Sequence, residues 1–270
     1  MSQFKFGMEA IEETNAANGG GKANNDFAKL PSDTTLKVKL VGASYLMRYY
    51  GYGVFKRVNT FIAAKPSDRD DRGFVKENHT AWDLASKYYY DQAFALTKDK
   101  SDSEAKDIRD SKAYKALSSE GYKYAGKPRF AIGFIDLEVG KEIVLDFTAK
   151  QFNDVLKPAL IKYESKKDKV AFEISKSGSG TNTVISLSPV IDMEDDLTDK
   201  EQANFEKFKE KEFDIKKFDG LLFEADDKTM TENLVAAGFD ITLIGLSIGA
   251  KTEDVTPIDD DEIEESELPF

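Results

Sequence analysis

Between residues 45 and 76 aromatic and cationic side chains alternate. Tyr45, Tyr49, Tyr50, Tyr52, Phe55 and Phe61 are interleaved with Arg48, Lys56, Arg57, Lys65, Arg69 and Arg72. These two residue types supply what an unpaired nucleic-acid strand needs. Cations follow the phosphates, and ring faces stack on bases without reading their sequence. Tyrosine suits the task because its ring stacks while its hydroxyl stays wet. Over residues 36–76 the cations, which begin with Lys37 and Lys39 and end at Lys76, face only Asp68, Asp70 and Asp71. A second cluster, Tyr122-Lys123-Tyr124 with Lys127 and Arg129, repeats the alternation. About half of such strand aromatics belong to a core. Phe55 and Phe61 are the expected core residues, and Arg48, Tyr49, Tyr50, Tyr52, Lys56 and Arg57 the expected contacts to a strand. For the second cluster, edge-strand packing is an equally open reading. Trp82 and Tyr88-Tyr89-Tyr90 suit packing at least as well as binding.

Other chemistry has little to work with. There is no cysteine and a single histidine, His79. With no cysteine, disulfides and thiolate metal sites are ruled out; with His79 alone, no histidine-based metal cluster or Ser-His-Asp triad is expected, nor any metal or cofactor. Carboxylates alone can hold Mg2+, and Asp192, Glu194, Asp195 and Asp196 form the densest group. Such acidic loops are ordinarily solvated surface, so a Mg2+-dependent nuclease stands as a rival reading and a purely structural scaffold as another. Gly19-Gly20-Gly21-Lys22 lacks the following Ser or Thr of a phosphate loop.

The formal net charge of -12 hides a split. Residues 1–190 carry 30 basic and 25 acidic side chains, whereas residues 191–270 carry 8 and 25. A balance of +5 is thus joined to one of -17, the pattern of a basic binding body with an acidic tail. From Thr252 onward there are 9 acidic residues and no basic one. The run Asp259-Asp260-Asp261-Glu262 leads through Glu267 into Leu268-Pro269-Phe270. An apolar tip behind an acidic run is not what solubility requires. A Phe ring, a Pro-limited backbone and a carboxylate make a compact anchor for a basic-rimmed pocket on a partner protein.

The elements that must position these residues read as mainly β with helices, an α+β fold. Leu36, Val38 and Leu40 alternate with Lys37 and Lys39, which marks a strand. Val54 to Ile62 reads as another, with the Tyr- and Gly-rich segment as the connection between them. Arg129 to Leu137 with Glu142 to Phe147, and Val170 to Lys176 with Thr183 to Val190, read as hairpins. Thr148-Ala149-Lys150-Gln151 and Thr198-Asp199-Lys200-Glu201 have capping-box form, the second opening a helix through about Lys217. The expected organisation is a flexible leader over 1–30, a binding domain over 31–190 with a helical insertion at 80–119, a helical region over 191–251 and a disordered acidic tail over 252–270. Short strands with glycine-rich turns fit a Greek-key barrel, of which the OB-fold is the common oligonucleotide-binding form. No apolar run reaches the roughly 18 residues of a membrane helix, and no export signal is evident, so no membrane partner and an intracellular location are expected.

The acidic run and terminal Pro-Phe resemble the tip of bacterial single-stranded DNA-binding proteins. The body resembles the single-stranded DNA-binding proteins of large tailed phages, related to the T4-type helix-destabilising protein. The matching stretches are Leu36-Lys37-Val38-Lys39-Leu40, Tyr124 to Leu137, the capped helix from Thr148, and Phe172 to Gly180. The resemblance implies an OB-fold, coating of exposed DNA in the host cytoplasm, recruitment of replication or recombination proteins (polymerase, helicase or primase), and competition between tail and DNA. Two features depart from it: the zinc ligands of that family are missing here, and residues 1–30 hold no counterpart of its basic cooperativity motif. Deleting residues 252–270 changes the formal charge from -12 to -3. The truncated chain is expected to bind poly(dT) more tightly at low salt, and an unchanged titration would count against tail competition.

Overall fold

The computed structural model describes residues 28–248. The expected docking residues Asp259, Asp260, Asp261, Glu262, Leu268, Pro269 and Phe270 lie outside them, as does the leader up to residue 27. Within them the chain is α+β, built on one eight-stranded mixed sheet.

The sheet is organised by strand β6 (Lys127–Asp136). One edge of β6 pairs along its length with β7 (Lys141–Thr148). The other edge is shared by β1 (Thr34–Leu40) and β2 (Leu46–Val54), which follow one another along it. Leu40 pairs with Phe134 and Leu46 with Ile132, so residues 41–45 stand opposite Gly133 alone. That excursion bends what is otherwise a continuous strand, and each half then carries its own extension. Beyond β1 lie β8 (Phe172–Ser177) and β9 (Val184–Pro189). Beyond β2 lie β3 (Val58–Ala63) and the short parallel β10 (Glu224–Ala225).

Two expectations are corrected here. The Tyr- and Gly-rich segment is not a connection but β2 itself, because tyrosine is at home on a pleated surface. Its Gly51 is closely covered, since a Cβ there would come within 3.1 Å of Thr60 and 3.3 Å of Arg129. The barrel closure expected of an OB-fold is not seen: among the described residues strand pairing stops at β7, β9 and β10, and the sheet is open.

Alternation along β6 divides the core. On one face Phe130, Ile132 and Phe134 join Leu145 and Phe147 of β7. A helical segment covers them, made of α4 (Ala149–Gln151), a π turn (Phe152–Leu156) and α5 (Lys157–Tyr163). Phe152 stacks on Phe130 at 3.9 Å, and the Thr148–Gln151 capping box fixes where the segment starts. On the other face Ala131, Ile135 and Val144 lie beneath Phe205 and Phe208 of α6 (Asp199–Phe208) and beneath Phe213. Helix α6 opens with the expected capping box but ends at Phe208, well short of Lys217. The chain must turn there so that the Phe213 ring can enter the space above Gly133, where a Cβ would lie 2.9 Å from it.

The helical insertion comprises α1 (Ala81–Thr97), α2 (Asp102–Asp110) and α3 (Lys112–Tyr124). With α7 (Asp227–Ala236) it encloses a third cluster of Tyr52, Phe61, Trp82, Tyr124, Met230 and Leu234. Trp82 is fully buried, and its Nε1 donates to the Met230 carbonyl at 2.9 Å. No helix among the described residues is long and apolar enough to cross a membrane. Trp82→Phe removes that hydrogen bond and leaves a gap where the indole was, and is expected to cost about 1–3 kcal/mol. Urea denaturation checks this, and a variant as stable as the parent would show that the insertion and α7 are not held through this contact.

Candidate nucleic-acid interface

Register decides which of the alternating residues share a face. Arg48 pairs with Phe130, Tyr49 with Arg129 and Tyr50 with Pro128. Successive strand residues point to opposite sides, so Arg48 and Tyr50 share the Phe130 face while Tyr49 and Arg129 take the other. Arg48 is exposed; its Nη2 donates to the Tyr50 hydroxyl at 2.6 Å, and its guanidinium lies 5.3 Å from the ring centroid. A second guanidinium, that of Arg69, lies 4.0 Å from the same ring.

Arg69 is held from behind by a buried carboxylate. Its Nη2 donates to Asp83 at 2.9 Å and to the Tyr52 hydroxyl at 3.1 Å, and its Nη1 to the Gly73 carbonyl at 3.1 Å. Asp83 also accepts from Tyr52 at 2.8 Å, Ser67 at 2.6 Å and Thr80 at 2.7 Å. Thr80 is the N-cap of α1, so the carboxylate ties β2, the strand pair β4 (Asp68–Arg69) and β5 (Val75–Glu77), and the insertion together. Burial, aided by the Asp83 charge, pushes the Tyr52 phenol up to about 12.

The turn between β4 and β5 is shaped locally. The Asp70 carboxylate accepts from the Phe74 and Arg72 amides at 2.8 and 3.0 Å, and these bonds hold it below the usual carboxylate range. Gly73 has φ +91, and a Cβ there would meet the Tyr50 hydroxyl at 2.8 Å, so only glycine brings this turn onto Tyr50. The turn presents Arg72 over the ring of Phe74, 5.3 Å away, and both are exposed.

Between this turn and α1 lies a cleft of about 520 Å³. Phe74, Tyr90 and Phe94 line it together with His79 and the Ala125-Gly126 link. Tyr90 and Phe94 stack at 6.2 Å, one helical turn apart. Tyr122 and Lys127 flank the Ala125-Gly126 link in sequence, with the Lys127 ammonium 4.8 Å from the exposed Tyr122 ring.

The structure thus brings Arg48, Tyr50, Arg69 and Arg72 together, sets Tyr122 and Lys127 beside the cleft, and puts Lys56 and Arg57 at the β2–β3 tip. The remaining expected residues are engaged internally. Lys37 binds Glu201 and the Asp196 carbonyl. Lys39 is buried against Asp168 at 2.7 Å. Tyr49, Tyr52 and Tyr124 are buried, so their ring faces are not open to a base. Arg129 pairs with both oxygens of Asp146, which also accepts from Tyr49 at 2.8 Å. Lys123 pairs with Glu120 at 3.2 Å. Phe61 is core as expected, but Phe55 is 87% exposed. The sequence pointed to neither Phe74 nor Phe94, and Tyr90 stood there as suiting packing at least as well as binding; the i, i+4 spacing of Tyr90 and Phe94 was the available signal.

The acidic loop is occupied by its own backbone. Asp192 accepts from the Glu194 and Asp195 amides, and Asp196 from the Asp192 amide. Among the described residues no three His, Asp or Glu are grouped to hold a metal ion. Comparisons with family models, curated proteins and solved structures give no match.

Asp83→Ala leaves the Arg69 charge without its partner in a largely dry site. A loss of about 3–5 kcal/mol is expected, together with loss of order in the 70–74 turn. Thermal denaturation and hydrogen exchange at Gly73 and Phe74 check this, and a near-neutral variant would remove Asp83 from its central place.

Proposed function

We propose that this chain is a non-enzymatic single-stranded DNA-binding protein. The observation that carries the reading is the set of guanidinium–ring pairs at the mouth of an aromatic cleft: Arg48 and Arg69 on Tyr50, and Arg72 on Phe74. Arg48 and Arg72 are exposed and offer charge to phosphates, the exposed Phe74 ring offers stacking surface to an unpaired base, and Arg69, bound to Asp83, holds the Tyr50 ring in place beside them. A duplex buries its bases in the stack and cannot use such rings, whereas a single strand can. Nothing in the arrangement reads base edges, so binding is expected to be sequence-tolerant.

On this reading the acidic stretch 252–270 recruits replication or recombination proteins such as a polymerase, helicase or primase, and the chain works in a host cytoplasm during phage DNA metabolism. The finer OB-type assignment rests on the bent β1–β2 strand serving two half-sheets. The open outer strands count against it.

Titration of intrinsic fluorescence with poly(dT) over a salt series tests the proposal. Affinity should fall steeply with salt, and Arg48→Ala should reduce the slope of log affinity against log salt by roughly 0.7. Tyr50→Ala should cost about 1–3 kcal/mol of binding, while Lys209→Ala, at the end of α6 over the opposite sheet face, should change little. No binding at low salt would refute the proposal. Mg2+-dependent degradation of the strand, lost in Asp192→Ala, would instead favour a nuclease. Equal affinity for poly(U) would widen the ligand class to RNA.

A further inference from the structure

The cleft behind the guanidinium–ring pairs has two aromatic walls that do not touch each other. The Phe74 ring lines it from the β4–β5 turn, and Tyr90 and Phe94 line it from α1. Tyr90 and Phe94 stack on one another, yet no ring contact joins either of them to Phe74. Phe74 is 65% and Phe94 57% exposed, whereas Tyr90 is half-buried. The volume of about 520 Å³ lies within the roughly 300–1,000 Å³ usual for small-ligand sites. Exposed aromatic rings are by themselves no more than a surface patch. Two further observations separate this cleft from one.

The first is that both walls are fixed by contacts of their own. The Tyr90 ring rests on Gly121 of α3, where a Cβ would come within 2.9 Å of it, and the Ser86 hydroxyl donates to the Gly121 carbonyl at 2.8 Å. On the other wall, the Phe74 amide is bound by Asp70, and the Gly73 carbonyl by Arg69, which Asp83 holds in turn. The second is the polar inventory. Asp83 and Arg69 are engaged with each other, Ser86 with Gly121, and Lys87 with Asp91. His79, the single histidine of the chain, also lines the cleft and is half-buried. Among the described residues its imidazole has no hydrogen-bond or ion-pair partner. One unengaged polar ring thus stands in a site walled by phenyl and phenol rings.

We propose that the cleft is a base pocket: one base of the bound strand leaves the stack of its neighbours and enters between Phe74 and the Tyr90–Phe94 pair, its polar edge at His79. The inference rests on the nucleic-acid reading above and deepens it by naming what occupies the cleft behind its mouth. Mouth and pocket are continuous, because Arg69, Gly73 and Phe74 line the pocket and also build the mouth. Arg69 lies on Tyr50, a Cβ on Gly73 would meet the Tyr50 hydroxyl, and Arg72 lies over Phe74. A base beside Phe74 therefore leaves its phosphate on the side of the exposed Arg72. A planar ring with apolar faces and a polar rim matches such walls, whereas an aliphatic ligand gains no stacking. A neutral imidazole carries a donor on one nitrogen and an acceptor on the other. Keto and amino edges can both be met, so the pocket keeps binding sequence-tolerant.

An oligothymidylate and an abasic chain of the same length, with the same phosphates and no bases, separate the pocket from its mouth. Phe94→Ala is expected to lower affinity for the oligothymidylate about tenfold, within the range for one stacked base. It should leave affinity for the abasic chain unchanged, since only a base reaches Phe94. Phe94→Tyr, which keeps the ring, should bind like the parent. His79→Ala should lower oligothymidylate affinity about two- to tenfold, the range for one hydrogen bond, and again leave the abasic chain alone. Unchanged melting of each variant verifies that the fold is intact. Oligothymidylate affinity equal to the parent in Phe94→Ala or His79→Ala, or an equal loss on the abasic chain, would overturn the pocket while leaving the Arg48–Tyr50 mouth standing. Failure of the parent chain to bind any strand would overturn both.

Discussion

A buried carboxylate that cannot be left unpaired governs how this protein presents its surface. Asp83 is almost wholly removed from solvent, and a charge so placed must be met by donors or it opposes folding. Four side chains from four chain segments converge on it: Tyr52 from β2, Ser67 from the approach to β4, Arg69 from β4 and Thr80 from the start of α1. Satisfying one charge therefore fixes the mutual placement of sheet, turn and helical insertion. Arg69 shows the consequence most directly. Its edge is bound to Asp83 while its planar group lies over Tyr50, so the element that closes the core also forms part of the candidate surface. Lysine could supply the charge but not both a bound edge and a stacking face.

The same requirement for partners explains why the cations of the first 190 residues do not form one basic surface. Lys37 and Lys39 lie against acidic residues from distant parts of the chain, Glu201 and Asp168, and Arg129 against Asp146 on the neighbouring strand β7. Their charge is cancelled where it sits. The excess of +5 therefore does not measure the charge available to a ligand. Of the cations expected to contact a strand, Arg48 and Lys56 are exposed, and Arg72 is exposed beside Asp70, 3.5 Å away and already bound to two backbone amides.

How much of this could be read from sequence depended on the range of the interactions involved. The capping boxes at Thr148 and Thr198 and the hairpins around Gly140 and Gly178 were legible because their signals lie within a few residues. Strand β2 was not, since its tyrosines and glycines send contrary local signals and only pairing with β6 resolves them. The residue types of the candidate surface were legible, but their sorting was not carried far enough. A period of two already requires Tyr49 to face away from Arg48 and Tyr50, so three consecutive residues could never meet one ligand together. Phe55 was misjudged because a strand aromatic is ordinarily core, and nothing local reveals that the strand has ended one residue earlier. The cleft joins Phe74 to Tyr90 and Phe94 only through the Asp83 contacts, and no short-range pattern carries that.

The bend between β1 and β2 gives these local facts their larger order. Because residues 41–45 are accommodated opposite Gly133, β6 can serve two half-sheets that need not share a function. The half built on β1, β8 and β9 is packed on one side by the Phe-rich layer under α4 and α5, while β8 and β9 turn Ser175, Ser186 and Ser188 outward, and Lys37 and Lys39 of β1 are spent on ion pairs. The half built on β2 and β3 is covered at one end by the insertion and, beside it, leaves Arg48 exposed and Tyr50 half-buried beneath Arg69 and the Gly73 turn. The excursion costs several residues of strand pairing, and it lets different layers pack over the two halves, the helical segment over β1 and β8 and the insertion with α7 over β2 and β3. The candidate surface is then a consequence of sheet geometry as much as of residue type, and the short parallel strand β10, which pairs β3 at the end of this half, anchors it to the C-terminal helix without covering it.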